Sequence, residues 1–167
     1  MFDEVYRLQR LLDRESLLHE VIRRWRKAAS VESRFFAQIS LASWRAMRSL
    51  VGALRSQPYP RFHPLPVHRT PMRVKLHALA VSSLRYHPTS RSRWLLTEMR
   101  ALSRIAADMR AVTLSLSEST MLGRIELDLH LLLAAAALWH EANERAHAGA
   151  GANFRSDFEL PRLPRLN

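Results

Sequence analysis

Residues 129–139 read Leu-His-Leu-Leu-Leu-Ala-Ala-Ala-Ala-Leu-Trp, and the longest apolar run of the chain, Leu131 to Trp139, lies within them. The length of this run decides the fold class. A helix that crosses a bilayer needs about 20 consecutive apolar residues. This run is roughly half that, so it reads as a buried helix, the central one of a helical bundle. Ser115 and Glu118 upstream have the spacing of a capping box, which starts the helix there. Gly149 and Gly151 stop it near His147.

Working outward, the rest of the chain shows the same period. Val5, Leu8, Leu11, Leu12, Leu18, Ile22 and Trp25 form one helical stripe over residues 2–28. Ser30 is placed to cap a second helix through Phe36, Ile39, Met47, Leu50 and Leu54. Residues 57–71, QPYPRFHPLPVHRTP, hold five prolines, which forbid a regular helix and favour an extended crossover. A third helix is predicted over residues 72–86, with Leu76, Leu79 and Ala80 as its apolar face. A fourth starts at Arg91 behind a Ser90 cap and runs through Leu95, Met99, Leu102, Ala106 and Met109. The expected fold is all-α, about five helices in one domain over residues 1–148. Residues 149–167 form an extended tail.

Composition narrows the function. With four glycines, tight β-turns are scarce, which argues against an all-β chain. With no cysteine, disulfides, thiolate metal sites and cysteine nucleophiles are excluded. Acidic residues directly after Met1 do not suit a secretory or mitochondrial leader, so the expected setting is intracellular, in cytoplasm or an organelle matrix.

Motifs for chemistry are missing. His140, Glu141, Glu144 and His147 crowd the end of the last helix, but the fifth position of an H-E-x-x-H site is Glu144. Glu144-x-x-His147 matches the i, i+3 pair of di-iron bundles, yet no second such pair exists. There is no G-x-S-x-G elbow and no phosphate-cradling glycine loop ahead of a helix. A solvated helix end is the better reading of the His/Glu cluster. No catalytic residue, metal or cofactor is expected. His130 and the tryptophans at 25, 44, 94 and 139 are read as core or near-core groups.

Charge is the remaining signal. The formal net charge is +11, carried by 24 arginines and only two lysines. Between Glu32 and Glu98 there is no acid, and that stretch holds eleven basic residues. Residues 114–148 reverse the sign, with two arginines against five acids. Such polarity points to a polyanionic partner. Arginine forks onto phosphate and stacks on bases, although a GC-rich genome also enriches arginine, alanine and leucine. The candidate nucleic-acid-binding residues are Arg45, Arg48, Arg55, Arg61, Arg69, Arg73, Lys75, Arg85, Arg91 and Arg93. They carry no base-reading signature, so the expected contact is with phosphate backbone, RNA before DNA. The expected protein is a non-enzymatic subunit of a nucleoprotein complex, in the class of basic ribosomal proteins or CRISPR effector small subunits. The alternative is a structural or assembly subunit that docks on acidic protein or anionic lipid. Clustered arginines favour the first reading; dispersed or acid-paired ones favour the second.

Two short segments resemble known families. Glu4-Val5-Tyr6-Arg7 with Leu11-Leu12 resembles the start of the LYR-motif proteins, small basic helical assembly factors, with Val5 where that motif has leucine. Gly151-Ala-Asn-Phe-Arg-Ser-Asp-Phe158 resembles the closing segment of fumarate-reductase-type flavoproteins, with Asn153 in place of the usual histidine. The first covers only the opening helix, the second lacks the whole flavin domain, and neither carries a site over.

Overall fold

The computed structural model describes residues 2–28, 32–56, 71–83, 88–113 and 115–148. They form five helices and, among the described residues, no strand: α1 (Phe2–Ala28), α2 (Ser33–Ser56), α3 (Met72–Ser83), α4 (Pro88–Val112) and α5 (Leu116–Ala148). The crossover from 57 to 70 and the tail from 149 lie outside the described residues.

α1 and α2 form an antiparallel hairpin. Trp25 meets Phe36 with ring centroids 6.0 Å apart, the His19 ring nitrogen lies 3.0 Å from the Ser40 carbonyl, and Ser16 donates to the Met47 sulfur. α4 and α5 form a second hairpin, joined by Ser92–His140, Arg93–Glu144 and Arg110–Glu126. The hairpins close into a four-helix ring. Arg14 and Trp25 of α1 reach Glu98 and Trp94 of α4. Phe36 of α2 meets Trp139 of α5 edge-on at 5.5 Å. Each helix of the ring runs against both neighbours, so α2 and α4 are parallel and diagonal. The chain must therefore travel the length of the bundle between them, about 36 Å for a helix of α2's length. α3 lies within that return and, among the described residues, packs on α1 alone.

One core draws on all five helices. The predicted stripes of α1, α2 and α4 are buried throughout. At one end of the ring Trp25, Phe35, Phe36, Trp94 and Trp139 pack in tilted and edge-on pairs. Such pairs each add about 0.5–1.5 kcal/mol beyond the area they bury. The Trp139 indole also donates to Glu32 at 2.9 Å, tying α5 to the start of α2.

Five features differ from the sequence reading, the first being His130, read as a core group but exposed on α5 with its ring nitrogen 2.9 Å from the Glu126 carbonyl. α3 packs through Val74, Ala78 and Val81, and its predicted inner residues Leu76 and Leu79 are exposed, as is Ala80. The helix is apolar on two faces, and α1 covers only one. α4 begins at Pro88, not Arg91, because the fixed φ of proline suits the first helical position. Arg91 and Arg93 therefore fall just beyond the first turn, which eases their conflict with the helix dipole. Trp44, read as core or near-core, is 39 % exposed. Finally, α5 is not the central helix. It packs on α4 and α2 alone, whereas α1 packs on α2, α3 and α4. Among the described residues the most apolar helix thus keeps one face without a neighbouring helix, since a ring of four gives each member two flanks.

Candidate nucleic-acid interface

α2 contains no acidic residue. Its inner positions face α1 and α5, and what is left points outward. Arg34, Leu41, Arg48 and Arg55 recur every seven residues and are all exposed. Seven residues are close to two turns, so these side chains share one face over about 31 Å. Trp44 lies beside them, with the Arg48 guanidinium over its ring, 4.8 Å from the centroid. Arg45 is half-buried on the same side, towards Asp128 of α5. The result is a strip of arginines flanking an exposed indole and a leucine.

The other predicted residues sit elsewhere. Arg73 is ion-paired with Asp13 of α1, and Lys75 is exposed on α3, which does not touch α2. Arg93 pairs with Glu144 at 3.2 Å, and Arg91 lies 5.7 Å from the Trp25 ring centroid, both near the start of α4. Arg61, Arg69 and Arg85 lie outside the described residues. The described candidates therefore fall into three places. Among the described candidates, α2 is where arginines share one face of a helix that itself carries no acid, with Asp128 of α5 beside Arg45. Sequence reasoning missed Arg34, Leu41 and Trp44. The signal was present: positions 34, 41, 48 and 55 are one heptad register on the face opposite Phe36, Ile39 and Leu50.

The His/Glu cluster at the end of α5 is a network of pairs. His140 Nδ1 lies 2.8 Å from Ser92 Oγ, Glu144 accepts from Arg93, and Glu141 pairs with Arg145 at 3.1 Å. The His147 side chain lies outside the described residues. Among the described residues no group of three or more His, Cys, Asp or Glu side chains is placed to hold a metal ion.

Carboxylates are also buried at mid-bundle. Glu15 of α1 is 1 % exposed, and its Oε2 has no hydrogen-bond partner among the described residues. Burial raises its pKa from 4.5 to about 8; a hydrogen bond from Ser43 opposes this, and the charges of Glu98 and Asp128 add to it. Glu98 is also raised by burial, with Arg14 and His77 opposing. Glu20 goes the other way: burial would raise it, but hydrogen bonds and charge from Arg23 and Arg24 outweigh burial and lower it. At neutral pH Glu15 is therefore held as the neutral acid, consistent with its apolar surroundings.

Compared with known proteins, the chain matches no family model, no curated protein and no solved structure.

Proposed function

We propose that the protein is a non-enzymatic, basic helical subunit of a nucleoprotein complex that binds nucleic-acid phosphate backbone, RNA before DNA, along the outward face of α2. The supporting observation is the strip of Arg34, Arg45, Arg48 and Arg55 on a helix that carries no acid, beside the exposed Trp44. Arginine matches phosphate with a planar fork, and an exposed indole offers a sequence-tolerant stacking surface to an unpaired base. Backbone binding of this kind releases counterions and carries little sequence preference. The neighbouring protein subunits of such a complex would meet the acidic α5 or α3. The exposed apolar face of α3, formed by Met72, Leu76 and Leu79, favours a second reading, an assembly subunit that docks on protein.

The test is fluorescence anisotropy with a labelled single-stranded RNA and a DNA duplex, titrated with salt. Four phosphate contacts predict that log K falls with log salt at a slope of about −3. Arg34→Glu, Arg48→Glu and Arg55→Glu together should abolish binding, while Arg73→Glu leaves most of it. No binding near 50 mM salt overturns the reading in favour of protein docking.

A further inference from the structure

The arginines of α2 stand almost in single file. Arg34, Arg48 and Arg55 lie on one heptad line, about 31 Å from first to last. Arg45 is one turn from Arg48, and Asp128 bounds the row on the α5 side. A duplex cannot follow such a line. Each of its strands winds once around the axis in about 34 Å. A straight row therefore meets each backbone of a duplex about once along its whole length. A single strand has no such constraint and can lay successive phosphates along the row.

The row also carries an indole near its middle. Trp44 is exposed, whereas Trp25, Trp94 and Trp139 are packed into or against the core. An indole stacks on the flat face of a base. In a duplex both faces of each base are covered by its neighbours, and pulling one out costs free energy. In a single strand a face is available. The Arg48 guanidinium rests over the Trp44 ring, 4.8 Å from its centroid. A cation–π contact at an exposed site is weaker than base stacking, so a base can take that ring face. The displaced guanidinium then gains a phosphate oxygen. Beside Arg48 and Arg55 the surface is low. Ser49, Gly52 and Ser56 are exposed, and nothing stands within 4 Å of the place a Cβ on Gly52 would take. A sugar–phosphate chain can approach the helix closely there.

We propose that the nucleic acid on this face is a single strand and not a duplex. It lies along the axis of α2, with one base stacked on Trp44 and its phosphates on Arg34, Arg48 and Arg55. This rests on the reading of α2 as a nucleic-acid interface and narrows it to one class of strand.

The test uses the full chain and one labelled RNA of about 16 nucleotides, offered alone and annealed to its complement. Anisotropy should show the single strand bound at least about tenfold more tightly than the duplex at the same salt. Trp44→Ala should weaken single-strand binding about 5- to 150-fold, the effect of losing one stacked base, and leave duplex binding within about twofold. Trp44→Phe keeps a stacking face and should retain most of the single-strand affinity. Tryptophan emission gives a second readout. The single strand should quench the wild type, and it should not quench Trp44→Phe, whose remaining tryptophans are in or against the core. Thermal melts by circular dichroism check that both variants fold. Equal or tighter binding of the duplex overturns the proposal, and so does a Trp44→Ala loss that is absent or the same on both forms. Phosphate binding by α2 would still stand in those cases. Failure of both forms to bind near 50 mM salt removes the α2 interface itself, and this proposal with it.

Discussion

α2 and α5 are neighbours in the ring and share the Phe36–Trp139 contact, yet their outward faces are opposite in character. α2 shows solvent a strip of arginines with one indole; α5 shows a strip of leucines with small residues between them. The difference teaches how far sequence periodicity reaches. In α2 the apolar residues occupy one face only, so the buried side and the outward side can both be read from spacing. In α5 they occupy almost the whole circumference, and spacing does not say which of them are inside.

If the contrast is confined to the outer surface, both helices must be equally intolerant on the inside. The largest expected effect lies where their inner faces meet around Glu15. Its folded pKa of about 8 exceeds the unfolded 4.5. The folded state therefore holds the proton more tightly. This contribution is complete below pH 4.5 and is lost as pH rises towards 8. The span amounts to at most about 5 kcal/mol, at 1.36 kcal/mol per unit. Urea midpoints measured across that range should fall with pH in the wild type, and Glu15→Gln should flatten the profile. A wild-type profile that does not fall would place Glu15 in contact with water.

Next come Phe36→Ala and Trp139→Ala, one from each helix, expected to cost about 3–5 kcal/mol apiece in denaturant melts. Because the rings touch, the double variant should cost less than the sum, with a coupling of about 0.5–1.5 kcal/mol. Exact additivity would mean that α2 and α5 are not packed as described. Smaller again is the cap of α5. The Glu118 amide donates to Ser115 Oγ at 3.4 Å, so Ser115→Ala should lower stability by about 0.5–1 kcal/mol. The smallest effects belong to the outer strips. Leu127→Ala in α5, measured at low protein concentration, and Leu41→Ala in α2 should each shift monomer stability by within about 0.5 kcal/mol. A loss of several kcal/mol at either would show that the strip is already covered within one chain.

The seven-residue repeat of α1 and the apolar spacing of α2 and α4 were enough to name a buried stripe on each, although not Leu17, Val21, Phe35, Val51 or Leu96, which widen those stripes. The acid-free stretch also pointed towards the arginines of α2, although not to Arg34 or to the exposure of Trp44. The remaining candidates were selected by charge alone. Charge does not record whether a partner such as Asp13 or Glu144 waits on another helix, and so Arg73 and Arg93 could not be told from Arg48.

The amino-acid sequence by itself determined the five helices, their approximate ends, the inner faces of three of them and the concentration of positive charge ahead of α4. Those properties are local: they follow from period, caps, prolines and composition within a few turns. Only the tertiary structure decided that α1 is the most enclosed helix, that α3 turns Leu76 and Leu79 outward, and that α5 keeps a leucine strip in solvent. Each of these depends on how many neighbours a helix has. That number is set by the ring in which α2 and α4 are diagonal, and no residue within α5 encodes it.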